Sequence, residues 1–243
     1  MRFFKNIIKK TINYFGWEIV KKRKPPDPNP YAKIDYDILK CINDCSGILH
    51  LGAHRGTEAE VYNWFGKNVV WVEAFPDTFE FLKDNLMFYK NQIPLLALLS
   101  DTDNDEIDFH ISNHDAACSS MYNFTNEIKK SDLWSKRNYE MLKKIKLKSI
   151  KLDTLLKNNN IDAKNFNHWI IDLQGAELKA LKGALNSINY CKSLHIEVTK
   201  KNFYEHSVLW PELNDWLNKK NFYPTKQPEK DEEDILFIRK SIR

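Results

Sequence analysis

Three carboxylates stand at the carboxyl ends of apolar runs, where a side chain can reach a ligand. Glu73 closes Val69–Val72. Asp172 ends the run that begins at Trp169, and Glu197 closes the run that begins at Ser193. A carboxylate so placed can take two ribose hydroxyls at once, accept a proton from a reacting hydroxyl, or hold neighbouring N–H groups. Glu177, five residues after Asp172, opens a Leu-rich helical stretch. A carboxylate there also serves a purely structural purpose, because a helix N-terminus favours negative charge. Upstream of Glu73 lies Gly52-Ala53-His54-Arg55-Gly56, directly after the apolar run Ile48–Leu51. Glu73 follows Gly52 by 21 positions. Nucleotide-binding α/β folds place a ribose-binding acid about 20 residues after the loop.

The loop chemistry narrows the ligand. A dinucleotide fingerprint has a middle glycine that lets pyrophosphate lie against the helix N-terminus. Here that glycine is missing, and a loop of this kind suits a ligand without phosphates, such as S-adenosylmethionine. The residues expected to contact it are His50, Gly52, Ala53, His54, Gly56 and Thr57 around the first turn, Glu73 and Ala74 after the second strand, and Ser100 and Asp101 after the third. Asp172 is the first candidate base, with Glu197 beside it. Ser119, Ser120, Gln174 and Glu177 are candidates for the acceptor side. His54, His110 and His114 could also act as bases, although lone histidines equally serve as surface or capping residues. The carboxylates could take Mg²⁺, but no repeated acid cluster demands it, and no metal is expected.

These side chains need strands that deliver them and helices that separate the strands. From residue 31 the chain alternates the two. A helix is expected over 31–46, then the strand Ile48–Leu51, a helix from Thr57 to Gly66, the strand Val69–Val72 and a helix over 77–90. Pro94–Leu99 reads as one buried strand and Glu106–Ser112 as a hairpin arm. Residues 113–150 include a basic run expected to be helical, and Lys148–Leu152 a further strand. Asp153 is expected to cap the helix Thr154–Asn158. Strands at Trp169–Leu173 and Ser193–Val198, helices at Leu178–Leu185 and Trp210–Lys219, and a closing antiparallel pair, Phe222–Thr225 with Asp234–Arg239, complete the pattern. Such alternation implies a mostly parallel sheet with helices on both faces.

The chain resembles the FkbM family of S-adenosylmethionine-dependent methyltransferases over about residues 46–198. The resemblance rests on LHLGAHRGTEAE, VEAFP, Ser119-Ser120, IKLDTLL and, above all, IIDLQGAELKALKGAL. It implies a class I methyltransferase fold: a Rossmann-like, seven-stranded sheet whose last strand is antiparallel. It further implies O-methylation of a hydroxyl on a sugar, glycan or glycolipid. Family members usually carry an acid two residues before the first glycine, where this chain has His50, and that departure bears on cofactor affinity. A nicotinamide-dependent oxidoreductase is the alternative enzyme, disfavoured by the missing middle glycine. A degenerate methyltransferase acting as a membrane-associated binding module is the non-catalytic alternative.

Charge divides the chain. Residues 1–24 carry eight basic side chains against Glu18, a net +7, which leaves −3 for the rest of a 243-residue chain of formal charge +4. A nucleic-acid-binding body is therefore disfavoured. Phe4, Ile7, Ile8, Ile12, Phe15 and Ile19 recur at three- and four-residue spacing and make one apolar stripe. Such a helix lies in a membrane interface. The same stripe would also serve to pack on the catalytic body or on a second copy. Pro25–Pro30 reads as a stiff linker, so the expected organisation is a basic segment with linker over 1–30 and a methyltransferase domain over 31–243. The four cysteines make no zinc pattern and suit a reducing compartment. No apolar run approaches ~18 residues and no secretory signal is evident. The expected location is the cytoplasm, with peripheral contact at the inner face of a membrane.

Overall fold

The computed structural model describes residues 35–130, 136 and 138–240. The basic stripe of residues 1–24, the proline linker and Trp134 lie outside the described residues.

Helix α1 (Tyr36–Asp44) leads into β1 (Gly47–Leu51), every residue of which is buried. Helix α2 (Ala59–Trp64), β2 (Asn68–Glu73), α3 (Pro76–Leu86) and β3 (Gln92–Leu96) follow. The strands pair in parallel, with His50 opposite Trp71 and Val72 opposite Leu95. Strand β7 (His168–Ile171) lies on the other side of β1, again in parallel. Helix α6 (Glu177–Lys182) and β8 (Ser193–Thr199) come next. Helix α7 (Trp210–Lys219) then leads to β9 (Phe222–Pro224) and β10 (Glu232–Arg239). Among the described residues, seven strands form one sheet in the order β3-β2-β1-β7-β8-β10-β9, and β10 runs antiparallel to both neighbours. This is the sheet that the family resemblance implied.

The apolar runs become strands buried on both faces because helices cover both. Leu49, Leu51, Val70, Trp169, Ile171 and Ile196 are at most 1 % exposed and pack with Leu181, Leu213 and Leu217 of the helices. Chain order departs from β1 in opposite directions, to β2 on one side and to β7 on the other. The carboxyl ends of β1 and β7 therefore flank a crevice, the position at which open α/β sheets bind ligands.

A second sheet changes the expectations for Pro94–Leu99 and for the basic run. Pro94–Leu99 is two strands rather than one. Strand β3 ends at Leu96, and β4 (Leu98–Leu99) leaves for a three-stranded sheet with β6 (Met141–Ile150) and β5 (Glu106–Ser112). The Ala97 N–H donating to the Glu73 carbonyl at 2.9 Å is the last bond of the β2–β3 ladder, and from Leu98 the chain pairs with β6 instead. The basic run is strand β6, and the strand expected at Lys148–Leu152 is its end. Lys144 and Lys146 point outward to Asp108 at 2.6 and 2.9 Å, while Ile145 and Leu147 turn inward onto the cluster around Phe109. That alternation is the period of a strand. Helix α4 is the short stretch Glu127–Lys130. Asp153 does not cap its own helix, α5 (Leu152–Asn158). Its carboxylate accepts from the Asn186 and Ser187 N–H groups at 2.8 and 2.9 Å, so it caps the following 3₁₀ turn. The helix expected to reach residue 90 stops at Leu86.

Candidate active site

The loop after β1 is tied to the end of β2, and the start of the β7 loop to β1. Gly52 and Ala53 both donate their N–H to the Val72 carbonyl at 2.9 Å, and the Asp172 N–H donates to the Leu51 carbonyl at 2.9 Å. Gly52 has φ +89°, and a Cβ there would lie 1.7 Å from the Asp172 carbonyl oxygen. Only glycine lets these two strand ends close on each other.

A cleft of about 630 Å³ opens at this point. Its polar wall is made by Gly52, His54, Glu73, Asp172 and Gln174. Its apolar wall is made by Leu98, Leu99, Phe109 and Met121, so the small sheet covers the cleft. Glu73 is 9 % exposed, and its two oxygens accept the His54 and Phe75 N–H groups, each at 2.8 Å. Burial pushes its carboxyl up to about 7, against the pull of those N–H groups. The carboxylate thus ties the loop after β1 to the loop after β2, with the Ala74 N–H acting on it as well.

Asp172, Gln174 and Glu197 meet as one constellation. The Gln174 Nε2 donates to Asp172 Oδ1 at 2.5 Å and to Glu197 Oε2 at 3.2 Å. Burial raises both carboxyls above the ordinary range; for Glu197 the neighbouring Asp172 adds to it. The Gln174 Oε1 accepts from the Tyr204 hydroxyl, and the Gln174 carbonyl accepts from Ser120 Oγ at 2.7 Å. Gln174 itself has φ +53°, a conformation the surrounding bonds must hold in place.

Several sequence candidates stand elsewhere. His50 is 6 % exposed, stacked on Trp71 at 4.5 Å with Nδ1 3.2 Å from the Tyr62 hydroxyl, and it does not line the cleft. Alternation along β1 points it to the face opposite Leu49 and Leu51, and burial lowers its pKa. Thr57 is exposed and donates to Glu58. Ser100 is fully buried, and Asp101 pairs with Lys179 at 3.1 Å, because the chain has already turned into the small sheet. Ala53 and Gly56 are buried within the loop and shape it, whereas His54 and Ala74 line the cleft. Ser119 lines the cleft and accepts the Ser112 N–H. Ser120 braces Gln174 from outside it. Glu177 is 3 % exposed, and its Oε1 accepts the Leu173 and Gly175 N–H groups at 3.0 Å, so it clamps the loop that carries Gln174. His110 pairs through its backbone with Ser120. Sequence reasoning missed Tyr204, whose segment carries no motif, and the apolar wall, whose members come from distant strands.

A family model, the methyltransferase FkbM domain, matches residues 50–224. The chain belongs to the FkbM methyltransferase family. It is an S-adenosylmethionine-dependent methyltransferase. No curated protein matches it significantly in sequence. Similar solved structures include an S-adenosylmethionine-dependent methyltransferase from Aquifex aeolicus, 10% identical, covering 87% of this chain and 93% of that one with TM-score 0.44. Another is Aeropyrum pernix fibrillarin with natively bound S-adenosylmethionine, 12% identical over 81% of this chain and 68% of that one, TM-score 0.43. A third is M. capricolum TrmK with S-adenosylhomocysteine, 8% identical over 85% and 69%, TM-score 0.41.

The donor set fits this cofactor. The cleft presents carboxylates from Glu73 and Asp172 beside an apolar slot, and among the described residues its lining includes no Lys or Arg. That suits a ligand with a sulfonium, an ammonium, a ribose and an adenine. A pyrophosphate would meet two carboxylates instead. Among the described residues no helix is long and apolar enough to cross a membrane, and no group of side chains is arranged to hold a metal ion.

Proposed function

We propose that this FkbM methyltransferase methylates a hydroxyl of a sugar, glycan or glycolipid. The observation that carries the reading is the Asp172–Gln174–Glu197 constellation at the edge of the cleft. Glu73 would hold the ribose, and the Gly52–His54 backbone would hold the amino-acid end. The apolar wall of Leu98, Leu99, Phe109 and Met121 would take the adenine. Bound there, S-adenosylmethionine supplies an electrophilic methyl group on its sulfonium. An alcohol must lose its proton as it is methylated, which calls for a base within hydrogen-bond reach. Asp172 accepts that proton on Oδ2, because Oδ1 is engaged by Gln174. Glu197 and Gln174 keep Asp172 aimed, so positioning contributes to the rate as well.

Calorimetry tests the cofactor half of this reading. S-adenosylmethionine should bind and NAD should not. Losing a charged hydrogen-bond acceptor costs about 1.5–3 kcal/mol, so Glu73→Ala should weaken S-adenosylmethionine about tenfold or more. The same variant leaves the His54 and Phe75 N–H groups without their acceptor, so its melting temperature should fall too. Unchanged affinity in a folded Glu73→Ala protein would remove Glu73 from the cofactor site.

We further propose that residues 1–24 dock the enzyme on an anionic membrane surface, where a lipid-linked acceptor is found. The sequence supports this through the apolar stripe and the net charge of +7. Each basic residue near an anionic leaflet contributes about 1 kcal/mol, and salt screens it. Full-length protein should sediment with phosphatidylserine vesicles at low salt. Protein lacking residues 1–24 should not, while its S-adenosylmethionine affinity stays the same. Equal sedimentation of the two would assign the stripe to packing or dimer contact.

A further inference from the structure

Tyr204 lies outside every motif of the sequence, yet its hydroxyl ends on the amide that joins the two candidate catalytic acids. It is 3 % exposed and sits in the segment after β8. That segment is clipped to the one after β5. Phe124 and Tyr204 form an antiparallel bridge, and the Thr125 N–H donates to the Phe203 carbonyl at 2.9 Å. The ring therefore has a fixed origin. Its hydroxyl reaches Gln174 Oε1 and, at 3.3 Å, the Cys118 carbonyl.

An amide between two carboxyls has two orientations. With Nε2 toward Asp172 and Glu197 it donates to both; with Oε1 toward them it sets oxygen against oxygen. A hydroxyl donor on the far side favours the first orientation, because the amide oxygen is the nearer of its two acceptors, the Cys118 carbonyl being the other. The charged groups facing Asp172 make this consequential. Glu58 lies before α2, Glu73 ends β2, Glu177 opens α6, Glu197 is on β8, and Glu232 and Asp234 are on β10. All are acids; burial together with Asp234 and Glu58 works against an ionised Asp172, whereas its hydrogen bond with Glu197 works for it. The Gln174 N–H bond works in its favour.

We propose that Tyr204 is a positioning residue that locks the Gln174 amide with its N–H groups toward Asp172 and Glu197, keeping Asp172 ionised and ready to accept a proton. This rests on the reading of Asp172 as the base. Ser120 holds the Gln174 carbonyl, and so the backbone from which the side chain starts, while Tyr204 favours one orientation of its amide.

The test is a carbon-13 NMR titration of the Asp172 carboxyl in the protein without cofactor, with the resonance assigned by its loss in Asp172→Asn. A hydrogen bond to the charged form lowers a carboxyl's titration midpoint. Tyr204→Phe keeps the ring and removes the hydroxyl, and it should move the midpoint up by about one pH unit. Gln174→Met should move it at least as far, and adding Tyr204→Phe to Gln174→Met should then move it no further, because the two act through one bond. An unmoved midpoint in Tyr204→Phe overturns the proposal. So does a Tyr204→Phe shift of the same size in the Gln174→Met background, since the hydroxyl would then act without the amide. Should Gln174→Met fail to fold, the Gln174 side-chain amide signals of Tyr204→Phe decide. They should move upfield and exchange faster, and unaltered signals overturn the proposal. Neither cofactor nor acceptor enters the measurement, so a failed methyl-transfer reading leaves its outcome standing.

Discussion

Asp172→Asn should lower turnover by about 10²–10⁴-fold, the range that a positioned general base contributes. The substitution is nearly isosteric. The Asn Oδ1 can still accept from Gln174 Nε2, which lies 2.5 Å from Asp172 Oδ1, so the constellation should stay assembled. What is lost is the second oxygen's ability to take a proton. Turnover is read as S-adenosylhomocysteine release with the acceptor found in a carbohydrate screen, and cofactor affinity is read separately by calorimetry. The pH dependence supplies a second signature. Asp172 works ionised, and burial among acids raises it above about 3.9, the ordinary value for Asp. Wild-type turnover should therefore fall as pH drops through that raised value. Asp172→Asn should lack this limb. Near-normal turnover in the variant would take Asp172 out of the proton transfer. Loss of cofactor binding alone would move it into the cofactor pocket.

The parts of the site that the sequence reveals are those held by local geometry. Gly52, Glu73, Asp172 and Gln174 each sit at a strand end, and a strand end is marked by an apolar run that stops at a glycine or an acid. The alternation implies parallel strands; that β7 lies beside β1 is seen in the pairing of Leu49 with Trp169. The parts that escape are set by where a chain turns next. Ser100 and Asp101 follow an apolar run too, but Pro94–Leu99 is shared between two sheets, and the second carries both residues away from the cleft. His50 precedes the glycine loop as a ligand-facing residue would. Strand alternation turns it instead onto Trp71. In β6 the alternation Lys144-Ile145-Lys146-Leu147-Lys148 was legible as period two, but the abundance of lysine reads as a solvated helix unless Asp108 is known to lie opposite. Tyr204 has no local mark at all. Its place follows from a bridge to Phe124, 80 positions earlier in the chain.

Gly52→Ala should be the most destabilising single-methyl change in the loop. The new Cβ would lie 1.7 Å from the Asp172 carbonyl oxygen and 2.7 Å from its carbon, both backbone atoms that no rotamer can move. A strained positive φ in a residue with a side chain costs about 1–3 kcal/mol. Forcing a methyl into packed structure costs about 1–3 kcal/mol more. The two together give about 2–6 kcal/mol, against a whole-protein stability of about 5–15 kcal/mol. The clash also separates β1 from β7 at the crevice, so S-adenosylmethionine binding should be lost along with Asp172 alignment. Gly66→Ala is the control. Gly66 has φ +63°, but a Cβ there meets nothing within 4 Å. Its cost should be the conformational part alone, about 1–2 kcal/mol, with cofactor affinity unchanged. Urea denaturation of the two variants separates crowding from backbone strain. If Gly52→Ala lost no more stability than Gly66→Ala and still bound S-adenosylmethionine, the close approach of the two strand ends would not be what the glycine is there to permit.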